Sequence, residues 1–281
     1  MNTHIFAAIG PTVHHPFQFG LGAFQLTGFG IAVVMCFVVG QMIAQQEMER
    51  RGYDPMPIAD MVIGAVVGGL LGAKLYFVFV LGNTEAFFTR GGFVFWGGLI
   101  GGGTAVLAIA RFKDVPLTRV FEVTAAPMAA AYAVGRTGCW AVGDDYGRPW
   151  NGPFATMFPE GAPPSTAAVM STEFGVSFPP GTDPNAVIAV HPTQLYEVAM
   201  GLVMFAILWR LRRHRNREGW LFGGYLLLAG IERFIVEFFR AKDDYLAIGL
   251  TIAQVIALSA VVAGVVWLYT FRAPKGSTAR V

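Results

Sequence analysis

The sequence predicts an all-α fold: a polytopic membrane protein of about seven transmembrane helices, with an outer N-terminus and a cytoplasmic C-terminus. Three observations support this. Of the 281 residues, 54% are hydrophobic and only 14% charged, a composition too apolar for an ordinary soluble domain. Seven apolar stretches reach the length of about 20 residues that spans roughly 30 Å of hydrocarbon. Basic residues collect in alternate loops, as membrane topology requires.

The seven apolar stretches define the predicted helices and the loops between them. They lie near residues 20–45, 59–82, 93–110, 120–142, 193–210, 219–239 and 247–271. We expect residues 1–281 to form one integral membrane domain. Residues 144–192 hold nine of the sixteen prolines and are too many for a mere connection, so they predict a periplasmic loop or cap with little regular structure.

The distribution of Lys and Arg predicts the orientation. The loops after segments one, three and five, with the C-terminal tail, hold thirteen of these residues. The opposite loops hold four, which are Arg90, Arg148, Arg240 and Lys242. Because basic residues near helix ends stay in the cytoplasm, the N-terminus is predicted to lie outside. The net charge of +2 then reflects topology, and no nucleic-acid partner is expected.

Cysteine and histidine usage gives no sign of a disulfide or a metal site. Cys36 and Cys139 are predicted to be free thiols, because one lies in the middle of a helix and the other near a helix end. The five histidines show no metal-ligand spacing. We therefore expect no metal and no cofactor.

Segment six carries ionisable residues inside an apolar helix, where such groups are costly and face a protein interior or a cavity. Arg233, Glu237 and Arg240 are spaced i, i+4, i+7, which places them on one predicted helical face. One interpretation is an ion-pair network that locks the bundle. The other is an anion site, since two arginines exceed one carboxylate and suit a phosphodiester.

The stretch GRTGCWAVGDDYG, residues 135–147, repeats this pattern at the outer end of segment four. Arg136 supplies another cation, and Asp144 stands at the helix exit. Gly138 and Gly147 allow close approach of backbone or ligand. The alternative is a helix-ending turn with solvated aspartates.

Two further stretches lie at the same predicted depth. TRGGFVFWGGLIGGG, residues 89–103, is read as a glycine-lined helix that gives either a groove or close helix contacts. HPTQLYE, residues 191–197, places Gln194 and Glu197 one turn apart. The polar groups thus collect in the outer half of the predicted bundle, which suits an amphiphile with an anionic head.

With these residues in view, the chain resembles bacterial phosphatidylglycerol–prolipoprotein diacylglyceryl transferases, as a divergent member. The resemblance runs in order through HPFQFGLGAFQLTGFGIAVV, RGGFVFWGGLIGG, GRTGCWAVGDDYGRP, HPTQLYE and GIERFIVEFFRAKDD. It implies a multi-pass enzyme of the bacterial cytoplasmic membrane that catalyses the first step of lipoprotein maturation. The diacylglyceryl group of phosphatidylglycerol would pass to the lipobox cysteine thiol of a preprolipoprotein as a thioether, with glycerol phosphate leaving.

The resemblance also implies roles for individual residues. Such a reaction needs a thiolate, a neutralised leaving phosphate and aligned reactants. Arg136 and Arg233 match arginines of the family and would bind the headgroup and its developing charge. Glu237 would orient an arginine, and Asp144, where the family usually has glutamate, would pair with arginine or accept a proton.

The candidate residues fall into two groups under this resemblance. The catalytic candidates are Arg136, Asp144, Arg233 and Glu237. The substrate-binding candidates are Arg136, Gly138, Gly147, Trp96, Gly97, Gly98, Arg240 and Gln194. The expected partners are phosphatidylglycerol, preprolipoprotein signal peptides and membrane lipid.

The chain departs from the family pattern at several positions. Trp96 stands where well-studied members have a histidine often proposed as the base, and Cys139, Val142 and Phe29 replace two asparagines and a tyrosine. An indole cannot accept a proton. Two interpretations stay open. One is an enzyme in which Asp144, Asp145, Tyr146 or water serves as the base, and the other is a non-catalytic relative that binds phospholipid or signal peptide. A transporter is not favoured, because no inverted repeat is visible.

Overall fold

The computed structural model describes residues 10–21, 24–82, 87, 94–242, 244–246 and 248–273. Within these ranges it contains eight α-helices and four short strands. The strands are β1 (Thr12–Val13), β2 (Gln18–Leu21), β3 (Phe24–Thr27) and β4 (Thr156–Met157). The helices are α1 (Gly28–Arg50), α2 (Met56–Leu81), α3 (Phe95–Phe112), α4 (Leu117–Val142), α5 (Ala167–Phe174), α6 (Thr193–Leu211), α7 (Trp220–Glu237) and α8 (Ile252–Thr270).

Helices α1 to α4 and α6 to α8 lie within or close to the seven predicted segments. Five of the described helices, α1, α2, α3, α6 and α8, are long and apolar enough to cross a membrane. Helices α4 and α7 are not among the five. Charged residues interrupt both, and α7 carries three of them in eighteen positions. These findings establish a mainly helical protein of multi-pass membrane character.

The first helix begins later than the sequence predicts. Residues before it form an antiparallel pair, β2 with β3, in which Gln18 lies opposite Thr27. The hydroxyl of Thr27 then accepts a hydrogen bond of 3.1 Å from the Gly30 N–H. This side-chain cap satisfies an otherwise unpaired donor of the first turn, so α1 begins at Gly28.

The long segment at residues 144–192 contains helix α5, which the sequence did not predict, and strand β4, which pairs in parallel with β1. Tyr146 is buried and stacks on Phe158, with 5.4 Å between ring centroids. Met170, Val190 and, from the turn after α7, Ala241 complete this apolar cluster. The segment therefore folds around a small hydrophobic core next to the C-terminal end of α4.

Helix α4 is the centre of the bundle, because it packs against α1, α6 and α7. We call the end of the bundle at Arg136 the Arg136 end and the opposite end, at Glu122, the Glu122 end. Fourteen residues of helix separate the two, about 21 Å at 1.5 Å per residue. Helix α8 packs mainly on α7, and α2 packs mainly on α3.

A buried ion-pair network lies at the Glu122 end. Glu122 Oε1 contacts Arg51 Nη2 and His214 Nε2, each at 2.7 Å. Its Oε2 accepts hydrogen bonds from the backbone N–H groups of Gly219, at 2.9 Å, and Leu221, at 3.1 Å. One carboxylate thus joins α1, α4 and the connection between α6 and α7.

A second buried carboxylate extends this network. Glu47 pairs with Arg50 at 2.5 Å, with Arg51 at 2.7 Å and with Arg212 at 3.3 Å. The sequence analysis did not single out either glutamate. Glu122 lies in a predicted membrane segment and Glu47 lies just after one, and each has an arginine partner that is distant in the sequence.

Candidate active site

The Arg136 end holds a cluster of charged side chains that come from α4, α6 and α7. Helix α4 ends at Val142 because Gly143 adopts a left-handed conformation, with φ of 69°. Asp145 also has a positive φ, 60°. The chain therefore turns back sharply, and the carboxylate of Asp145 faces the last turns of α4.

Arg136 lies between two carboxylates. Its Nη1 donates to Asp145 Oδ2 at 2.9 Å, and its Nη2 pairs with Glu197 Oε2 on α6. Only 13% of the Arg136 side chain is exposed. This buried arginine is held in place by groups from two different parts of the chain.

Arg240 reaches the same carboxylates from another direction. Its Nη2 lies 2.5 Å from Asp145 Oδ1, and its Nη1 lies 3.9 Å from Glu197 Oε1. The i, i+7 spacing predicted that Arg240 continues helix α7, which was wrong, since α7 ends at Glu237. A β-bridge with Gly147 holds Arg240 in the turn that follows.

Arg233 and Glu237 form the third part of the cluster. They are one turn apart on α7, with 2.6 Å between Arg233 Nη2 and Glu237 Oε2. Glu237 Oε1 also accepts a hydrogen bond of 3.0 Å from the Thr251 hydroxyl. Arg233 Nη1 lies 4.0 Å from Glu197 Oε1, and 30% of its side chain is exposed. Arg233 is therefore the most accessible of the three arginines, all of which lie within 4.0 Å of Glu197.

Tyr132 lies one turn before Arg136 on α4, and Glu232 directly precedes Arg233 on α7. The Tyr132 hydroxyl is 3.0 Å from Glu232 Oε1 and 3.2 Å from Glu197 Oε1. The sequence analysis did not choose Tyr132, Glu232 or Glu197 as site residues, and it considered Asp145 only as an alternative base. The available signal was position: Tyr132 precedes Arg136 by four residues, so it shares the same face of α4.

The two adjacent aspartates after α4 have opposite electrostatic environments. Burial opposes ionisation of Asp145, but the charges of Arg240 and Arg136 outweigh it and hold its pKa well below the usual range. Burial, with the neighbouring charge of Asp145, raises the pKa of Asp144. No ion pair of Asp144 is present among the described residues. Gln194 Nε2 fixes this turn by donating to the Asp144 carbonyl at 2.6 Å.

Comparison with known proteins identifies the family. The family model for prolipoprotein diacylglyceryl transferase matches residues 16–270, which include the whole cluster. The chain belongs to the prolipoprotein diacylglyceryl transferase family. The resemblance seen in the sequence is thereby confirmed, and the chain is a member of a family of transferases.

Several relatives carry the name phosphatidylglycerol–prolipoprotein diacylglyceryl transferase. The protein of Oleidesulfovibrio alaskensis is 31% identical over 266 residues, covering 89% of this chain and 91% of the relative. That of Paraburkholderia phymatum is 30% identical over 289 residues, covering 94% of each. That of Clostridium tetani is 28% identical over 257 residues, covering 89% of this chain and 95% of the relative.

In this diacylglyceryl transferase family member, two glycines chosen as substrate-binding candidates lie at close contacts within the protein. A Cβ atom on Gly138 would lie 2.7 Å from the Ala32 side chain of α1. A Cβ on Gly147 would lie 2.8 Å from the side chains of His191 and Thr193. Both positions need glycine for packing. They hold the backbone that carries Arg136 and Asp145.

The candidates on α3 lie apart from the cluster. Gly97 meets the backbone of Gly72 on α2, and Gly98 lies against Gly69, so close helix contacts occupy this part of the glycine run. Trp96 is 43% exposed and packs edge-to-face on Phe95. Within the described part of the chain, the structure brings Arg136, Arg233, Glu237 and Arg240 together, with Asp144 and Gln194 beside them.

Both thiols are free, as predicted. Cys139 is buried next to the cluster, and its Sγ lies 3.4 Å from Arg136 Nη1. In the ranges that the structure describes, no group of three or more His, Cys, Asp or Glu residues could hold a metal ion. The functional groups that the described residues bring to the site are three guanidinium groups, buried carboxyl groups, a tyrosine hydroxyl and the neighbouring Cys139 thiol.

Proposed function

We propose that this protein transfers the diacylglyceryl group of phosphatidylglycerol to the lipobox cysteine thiol of a preprolipoprotein, releasing glycerol phosphate. Membership of the family supplies the reaction class. The observation that carries the assignment of the site is the meeting of three arginines at Glu197, with one arginine partly exposed.

The three arginines would bind the phosphodiester and neutralise the charge that develops as it leaves. In the cluster Arg136 and Arg240 each have a buried Nε without a hydrogen-bond partner among the described residues. Buried donors of this kind are rare and call for an acceptor. Phosphate oxygens are suitable acceptors, and charge-assisted bonds from arginine are among the strong ones. Arg233, the exposed member, would meet the headgroup first.

Asp144 would accept the thiol proton in place of the histidine that Trp96 replaces. Its raised pKa and lack of an ion pair suit a proton acceptor, whereas Asp145 is committed to two arginines. In the reaction the S–H bond breaks and a bond forms between sulfur and the glyceryl carbon. The carbon–oxygen bond to phosphate breaks, and its electron pair stays on the phosphate oxygen.

The proposed topology has seven membrane-spanning helices, α1 to α4 and α6 to α8, in the bacterial cytoplasmic membrane. The N-terminus lies outside and the C-terminus in the cytoplasm, as the alternating basic loops predict. Residues 144–192 then form a periplasmic cap above the Arg136 end. A signal peptide and a phospholipid would both reach the cluster from the outer leaflet.

The test uses purified protein in detergent with phosphatidylglycerol and a lipobox peptide. We expect release of glycerol phosphate and a diacylglyceryl gain in peptide mass, both absent when the peptide cysteine is replaced by serine. Arg136→Ala and Arg233→Ala should abolish turnover in folded protein. Arg111→Ala is the matched control, because Arg111 is exposed and pairs only loosely with Asp114, at 3.6 Å.

The same assay separates the enzyme from a non-catalytic relative. Retained binding of phosphatidylglycerol with no peptide mass gain, beside an active relative measured in parallel, would support a binding protein. Turnover at the wild-type rate in either arginine variant would contradict the phosphate role.

A further inference from the structure

The hydroxyl of Tyr132 lies between two buried carboxyl groups, those of Glu232 at 3.0 Å and Glu197 at 3.2 Å. A hydroxyl has one proton to donate and can also accept. If both carboxyl groups were ionised, Tyr132 could fully satisfy only one of them. A protonated Glu232 removes the conflict, because it donates to the Tyr132 oxygen while Tyr132 donates to Glu197.

The charges in the cluster also favour a proton on Glu232. Three cations, Arg136, Arg233 and Arg240, face three carboxylates that pair with them, Asp145, Glu197 and Glu237. Counting Asp144, which has no ion pair among the described residues, Glu232 is a fifth carboxyl group. It is only 6% exposed, and no arginine or lysine of the described residues pairs with it. An unpaired buried carboxylate is costly, so the group keeps its proton instead.

The ionisable side chains on the helices around Glu232 also favour the protonated form. The ionisable groups that face it are Tyr132 and Arg136 from α4, Glu197 from α6, and Arg233 and Tyr225 from α7 itself. Helix α8 is the main neighbour of α7, and Ile252–Thr270 contain no charged residue. In the ranges that the structure describes, no further cation is placed to balance an ionised Glu232.

Binding of a phosphodiester would change the electrostatic surroundings of Glu197. The phosphate would compete with Glu197 for Arg136, and the competition would increase as the leaving phosphate gains its second negative charge. Glu197 then holds a buried negative charge beside another one, which opposes the transition state. The hydrogen-bonded chain through Tyr132 offers a way to relieve this repulsion.

We propose that Tyr132 and Glu232 form a proton relay that moves negative charge away from the leaving phosphate during diacylglyceryl transfer. The inference rests on the proposed function. The Glu232 proton passes to the Tyr132 oxygen as the Tyr132 proton passes to Glu197. Glu197 becomes neutral, and the negative charge appears on Glu232, on the other side of the Tyr132 hydroxyl. No proton enters or leaves, and the reverse movement resets the chain when phosphate departs.

The relay assigns positioning roles to Tyr132 and Glu232, since they act through Glu197 and need not touch the substrate. It predicts that Glu232→Gln, which keeps a donor for Tyr132 but cannot transfer a proton, lowers kcat about 100-fold, within the range of proton-transfer catalysis. The KM for phosphatidylglycerol should stay within about twofold. Tyr132→Phe should lower kcat to the same extent.

The experiment measures kcat, KM and the solvent isotope effect for Glu232→Gln, Tyr132→Phe and the double variant, with thermal unfolding as a check on folding. Because the two residues act as one unit, the double variant should be no slower than either single variant. The solvent isotope effect on kcat should be larger in the wild type than in any of the three. Glu218→Gln, just before α7, and Tyr269→Phe, at an exposed position of α8, are matched controls.

A wild-type kcat in folded Glu232→Gln would overturn the relay, because a purely structural hydrogen bond survives that change. Additive losses in the double variant would also overturn it. If Glu232→Gln does not fold, Tyr132→Phe decides by the same criteria. In each case wild-type product formation shows that the proposed function stands, whereas no product from the wild type refutes the function and the relay together.

Discussion

Replacing Glu122 by glutamine should destabilise the whole bundle, although Glu122 lies about 21 Å along α4 from Arg136. Four donors point at its carboxylate, which come from Arg51, His214, Gly219 and Leu221. His214 Nδ1 accepts from a backbone N–H at 3.0 Å, so its Nε2 carries the proton that Glu122 accepts.

The magnitude follows from counting donors and acceptors. A glutamine oxygen accepts about two hydrogen bonds, and its NH2 group would face two other donors. Each buried donor left without a partner costs about 1–3 kcal/mol, and removing one member of a buried ion pair costs about 3–5 kcal/mol. These effects overlap, so we expect a loss of about 4 kcal/mol. At about 2–4 °C per kcal/mol, Tm should fall by roughly 10 °C.

Thermal unfolding of purified protein in detergent, followed by tryptophan fluorescence, measures this shift. The matched control is Glu160→Gln, because the Glu160 side chain is 66% exposed and faces His15 at 3.5 Å. Such surface pairs contribute about 0–1 kcal/mol, and Tm should barely move. Equal Tm values for the two variants would refute the account of the Glu122 network.

Three further outcomes are expected. Gly138→Leu should lower Tm, because the side chain would separate α1 from α4. Gly135→Leu should be tolerated, because nothing lies within 4 Å of the Gly135 Cβ position. Equal losses of Tm in the two variants would contradict the packing role of Gly138. The kcat of the wild type should rise with pH through the raised pKa of Asp144, and Asp144→Asn should lack that rise in a pH–rate profile. Because its pKa is depressed in the folded protein, Asp145 contributes stability at pH values above its unfolded pKa, about 3.9. This stability is lost as pH falls below that value. Tm differences between wild type and Asp145→Asn should therefore be constant near neutral pH and shrink below about pH 4.

The sequence was most informative where a feature is local. Apolar length located the helices, and the i, i+4 spacing of Arg233 and Glu237 predicted a pair that the structure records at 2.6 Å. The order of the motifs indicated the family. Helix length, residue spacing and each motif depend on residues close together in the chain, and can therefore be recognised from the sequence.

Features set by tertiary contacts could not be predicted in this way. Tyr132 and Glu232 are a hundred residues apart and meet only because α4 packs on α7. Arg240 lies off the helix because Gly147 pairs with it. The glycines around Gly97 have the same sequence pattern whether they line a groove or a helix contact, and only the position of α2 distinguishes the two.

The α2–α3 pair packs on α1 at the Glu122 end, and this arrangement affects how the protein contacts the bilayer. At the Glu122 end, Ile58 of α2 and Ala110 of α3 pack into a core with Met48 of α1. Towards the other end, large apolar side chains such as Leu99 and Val34 are exposed. In a bilayer, lipid chains would cover these side chains, so lipid would pack against the protein there. Under the proposed function this lipid also contains the substrate, and the rate would depend on the mole fraction of phosphatidylglycerol in the leaflet instead of a concentration in water.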